Sequence, residues 1–141
     1  MDEIPTVDLA TLPKLEANAL RLLWVNDWYD GPLEAVVEHG GERRLMVLHG
    51  DGRIDVEKPM RWVLFRLSNE QWKEEERWHS LFEEHVGHHW CFHHEQAPEP
   101  ANALETSALD ARRFYEPYAE RTPRSLDASA ALAWVDEMPA H

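Results

Sequence analysis

Leu33-Glu34-Ala35-Val36-Val37-Glu38-His39-Gly40-Gly41-Glu42-Arg43-Arg44-Leu45-Met46-Val47-Leu48-His49 is the stretch that decides the fold class. Leu33 to His39 is rich in β-branched residues and mixed in polarity, which suits a strand. Gly40-Gly41 then reads as a two-residue hairpin loop, whose two central positions both take positive φ. Glycine adopts that conformation without a steric clash, because it has no Cβ. Arg43 to His49 returns as the partner strand, with Leu45, Val47 and His49 on one face and Met46 and Leu48 on the other.

Further strands flank this hairpin on both sides. Upstream, residues 19–25 run Ala-Leu-Arg-Leu-Leu-Trp-Val and fit a half-buried strand, closed by the turn signal Asp30-Gly31-Pro32. Downstream, Gly50-Asp51-Gly52 ends the returning strand and Arg53 to Val56 has the pattern of a short one. Pro59 breaks the chain before Met60 to Leu67. There Met60, Trp62, Leu64 and Arg66 alternate with Arg61, Val63, Phe65 and Leu67, a pattern for a strand buried on much of both faces. The expectation is an antiparallel meander of four or five strands over about residues 19–67.

Ser68-Asn69-Glu70-Gln71 fits a capping box, in which the Ser and Gln side chains each satisfy a backbone donor at a helix start. In the segment that follows, Trp72, Trp78, His79, Leu81, Phe82 and Val86 fall within about half of a helical wheel. Lys73, Glu76, Arg77, Ser80, Glu83 and Glu84 take the other half. Gly87 is a natural stop. The spacing therefore predicts a Trp-rich amphipathic helix over about 69–86, lying across the sheet. The fold class expected is α+β.

Residues 96–107 carry Pro98 and Pro100 and read as a linker. A short helix is expected from Ala108 to Tyr115, stopping before Pro117, and a second from an Asp127 cap through Glu137. The chain divides on this reading into a sheet-plus-helix part, 1–96, and a C-terminal helical extension, 97–141. The extension docks on the first part or on a partner chain, within a single domain overall.

The full chain has 141 residues and 16.5 kDa, enough to hold a core without disulfides. A single cysteine excludes an internal disulfide framework. The acidic start, Met1-Asp2-Glu3-Ile4-Pro5, is not a signal segment, and no apolar run approaches the ~18 residues of a membrane span. A cytoplasmic location is expected. Arg outnumbers Lys eleven to three and Ile occurs twice, a bias of GC-rich bacterial genomes. The net charge is −13, negative in both halves of the chain, so nucleic acid and anionic membranes are repelled. A basic protein surface is attracted.

Six of the nine histidines lie at 79, 85, 88, 89, 93 and 94. Imidazole and thiolate are ligands for zinc and similar divalent ions. In an extended 88–94, His89, Cys91 and His93 would share one face, and His85 would approach from the helix end. The candidate metal ligands are thus His85, His88, His89, Cys91 and His93, although their spacing matches no recognised zinc motif. Protonating all six histidines would also move the formal charge from −13 to −7. A candidate binding surface is Trp28, Tyr29 and Asp30, aromatics beside a carboxylate at a turn. The chain has no Gly-x-Ser-x-Gly, phosphate-binding glycine loop or His-Glu-x-x-His. Seven tryptophans with no catalytic signature suggest a non-catalytic protein-interaction module, whose partner is another protein or a second copy in a homodimer. The alternative is a metal-binding module or small metal-dependent enzyme using the cluster at 85–94 with a divalent transition metal such as zinc.

Overall fold

The computed structural model describes residues 4–28, 32–49, 60–85 and 108–139. Five strands are ordered in the sheet as they are in sequence: β1 (Arg21–Trp28), β2 (Pro32–His39), β3 (Glu42–Leu48), β4 (Trp62–Phe65) and β5 (Ala131–Val135). All neighbouring pairs are antiparallel. Among the described residues two helices, α1 (Asn69–His85) and α2 (Ala108–Ala119), lie between β4 and β5 in sequence. The protein is an α+β fold. It forms two compact units, residues 1–67 with 124–141, and residues 68–123. No helix among the described residues is long and apolar enough to cross a membrane.

The β2–β3 hairpin has the expected register. His39 pairs with Glu42 across Gly40 and Gly41, which stand at φ 60° and 82°. Positive φ at both positions is the conformation whose twist matches that of the flanking strands. Leu45 to Leu48 on β3 and Trp62 to Phe65 on β4 are buried without a break, as are Ala35, Val36 and Val37 on β2. The centre of the sheet is therefore apolar on both faces. β1 pairs with β2 through three register irregularities, which twist an edge strand and discourage pairing with another chain.

The N-terminal segment closes the other edge. The Trp134 amide donates to the Pro13 carbonyl at 3.1 Å, and the Leu15 amide donates to the Trp134 carbonyl at 2.8 Å. Lys14 thereby forms a parallel bridge to Trp134 of β5, and the chain begins β1 only at Arg21. A flat sheet would separate these two positions by ~24 Å, at ~4.8 Å per strand, a distance that the seven-residue step between them could span only if fully extended, at ~25 Å. The tight turn at Ala17–Ala19 shortens that reach to about 20 Å, less than the flat sheet requires. The sheet must curl.

In the second unit the capping box forms as expected. The Ser68 amide donates to Gln71 Oε1 at 2.8 Å, and the Gln71 amide donates to Ser68 Oγ at 3.1 Å. Trp72 is buried and Trp78, His79, Leu81 and Phe82 are half-buried, whereas Lys73, Glu76, Arg77, Ser80, Glu83 and Glu84 are exposed. Trp78 and Phe82 meet α2 edge-to-face: Trp78 against Phe114 and Tyr118, Phe82 against Phe114 and Tyr115, at centroid distances of 5.3–6.5 Å. Such geometry places ring edges on ring faces and adds to area burial.

Two expectations for the tail are corrected. The helix ending at Tyr115 instead runs through Pro117 to Ala119. A proline so near the end removes one backbone bond, and 3.1–3.2 Å bonds from the Glu120 and Arg121 amides to the carbonyls of Pro117 and Tyr118 close the last turn. The helix from Asp127 through Glu137 does not form. Asp127 caps only a single 3-10 turn, Ala128–Ala130, its carboxylate accepting from the Ser129 amide at 2.9 Å. Ala131–Val135 then becomes β5, with Ala133 and Val135 buried. Pairing with β4 overrides the helix propensity of an Ala-Leu-Ala run. The short strand expected at Arg53 to Val56 lies outside the described residues.

A Cβ at Gly40 or Gly41 would meet nothing within 4 Å, so the cost of substitution there is one of backbone conformation. Gly41→Val is expected to lower the unfolding free energy by ~1–2 kcal/mol in urea titration, and Gly40→Asn by much less, since Asn tolerates the left-handed region. No loss in Gly41→Val would contradict the hairpin geometry.

Candidate functional site

The strongest polar constellation among the described residues lies within the sheet unit, at Glu34. Arg124 Nη1 donates to Glu34 Oε1 at 2.7 Å and Nη2 donates to Oε2 at 2.9 Å, a two-pronged pair between residues ninety apart. Asn26 Nδ2 donates to the same Oε2 at 2.8 Å. The side chains of Arg124 and Glu34 are only 8% and 12% exposed. β1 supplies Asn26, β2 supplies Glu34, and Arg124 follows Pro123 where the chain re-enters the sheet unit. The planar guanidinium fork matches both carboxylate oxygens. Chemically the arrangement is a fastening. Both oxygens of Glu34 are engaged by donors and its charge is neutralised, which suits neither a general base nor a metal ligand.

An ionic contact and a backbone hydrogen bond lie elsewhere on the sheet. Lys14 reaches Asp136 at 3.0 Å and lies 5.6 Å from the centre of the Trp134 ring. Its hydrogen bond to Asp136 raises the Lys14 pKa above its ordinary value. At the end of β3, the His49 amide donates to the Arg61 carbonyl at 2.7 Å. Burial, and secondarily the positive charge of Arg61, hold the His49 pKa below its ordinary value.

His85 is the last residue of α1 and is half-buried. His88, His89, Cys91 and His93 lie outside the described residues, as do Tyr29 and Asp30. Trp28 ends β1, its backbone in register with Pro32. Nearer the middle of α1, His79 Nε2 stands 3.3 Å from Glu83 Oε1, one helical turn on. No group of three or more His, Cys, Asp or Glu residues placed to hold a metal occurs among the described residues.

Glu34 and Arg124 are absent from the candidates drawn from sequence. Glu34 left one trace there, a carboxylate next to the apolar run Ala35-Val36-Val37, but nothing local identifies a partner ninety residues away. The exposed face of α1 carries Glu70, Glu74, Glu76, Glu83 and Glu84 beside Lys73 and Arg77. Arg77 pairs with Glu74 at 3.1 Å and lies 4.3 Å from the centre of the Trp78 ring. No protein-family model matches this chain, and no curated protein or solved structure matches it significantly.

Removing one partner of this part-buried pair takes the opposite charge away from the other. Arg124→Met or Glu34→Leu alone is expected to cost ~1–3 kcal/mol in denaturant unfolding, and the double substitution distinctly less than the sum. Additive losses would show that the pair is not coupled. A separate expectation concerns pH. Because the folded state binds the His49 proton more weakly than the unfolded chain, this residue's contribution is complete above about pH 6.5 and is lost as the pH falls through 6.5 toward the folded pKa. His49→Gln should therefore flatten the decline in stability between pH 7 and 5, and parallel profiles for the two proteins would refute the assignment.

Proposed function

We propose that this chain is a small cytoplasmic bacterial protein that acts by binding another protein, without catalysis. The observation that carries this reading is the outer face of α1, where five exposed glutamates outweigh one lysine and one arginine. On a chain of net charge −13, that face attracts a basic protein surface and speeds its encounter. It repels the phosphates of nucleic acid and anionic lipid headgroups. Trp28, Tyr29 and Asp30 are a second proposed point of contact. A homodimer would have to form through some other surface, because two such helix faces repel one another.

The second reading, a metal-binding module or small metal-dependent enzyme, is favoured by the position of His85. It ends α1 and leads into the stretch holding His88, His89, Cys91 and His93. Imidazoles and a thiolate of this kind would take zinc or a similar divalent ion.

The binding reading is tested by retaining partners from a lysate of the source cell on the immobilised chain. A specific protein should be held at about 0.1 M salt and released well before 1 M, as screening shortens from ~10 Å to ~3 Å. A variant with Glu70, Glu74, Glu83 and Glu84 all changed to Gln should lose that protein while keeping its helix content by circular dichroism. Failure to retain any specific protein, or retention indifferent to salt and to the variant, would overturn the proposal.

A further inference from the structure

We draw no further inference here: the strongest candidate, the His79–Glu83 pair on the surface of α1, sets two divalent-cation ligands one helical turn apart but is accounted for as an ordinary helix side-chain pair, with no third ligand grouped with it among the described residues.

Discussion

The ion pair between Arg124 and Glu34 fixes where the chain returns to the sheet after the helical unit, and the last strand follows from that point. Only six residues separate Arg124 from β5, so pinning the guanidinium to β2 sets the place from which Ala131–Val135 must reach β4. The Arg66 amide, just past β4, donates to the Ala130 carbonyl at 2.9 Å and holds the end of that approach. An ion pair drawn partly out of water adds little net energy over apolar packing of equal volume, because desolvation offsets much of the Coulombic gain. Its effect here is positional. A chain entering elsewhere would leave Glu34 charged, half-desolvated and without its guanidinium, which excludes alternative placements.

The N-terminal segment imposes a matching constraint from the other side. Pro13 to Leu15 bond to β5, and a short connection then has to reach β1 at the far edge. The curl this forces on the sheet, together with unbroken apolar runs on β3 and β4, leaves an interior composed of aliphatic and aromatic side chains. Among the described residues that interior holds no fully buried polar or charged residue, and its apolar burial stabilises the fold. On α1 the exposed face is acidic. The proposed binding role draws on that acidic face.

How much could be read from sequence depended on how local the cause was. Gly40-Gly41 announces a hairpin because positive φ at adjacent positions is written into the two residues themselves. Ser68 and Gln71 announce a helix start because the reciprocal bonds span three positions. β5 was illegible because Ala131 to Val135 has the local propensity of a helix and becomes a strand only through Trp62 to Phe65, some seventy residues earlier. Still longer separations in sequence hid the partnership of Glu34 with Arg124, and that of Pro13 and Leu15 with Trp134. The histidines from 85 to 93 mark the opposite limit. Their side-chain chemistry is plain in the sequence, but convergence on one point is a property of three-dimensional arrangement that ligand identity alone does not give.

The central claim, that the chain works by binding a protein rather than through a metal, is tested most directly by its metal content. Plasma mass spectrometry should be run on protein lacking an affinity tag, since a tag brings histidines of its own. The account predicts well under one transition-metal ion per chain after mild chelation, with the fold retained by circular dichroism. About one zinc or similar ion per chain that survives chelation, and is lost when His89 or His93 is replaced, would contradict it.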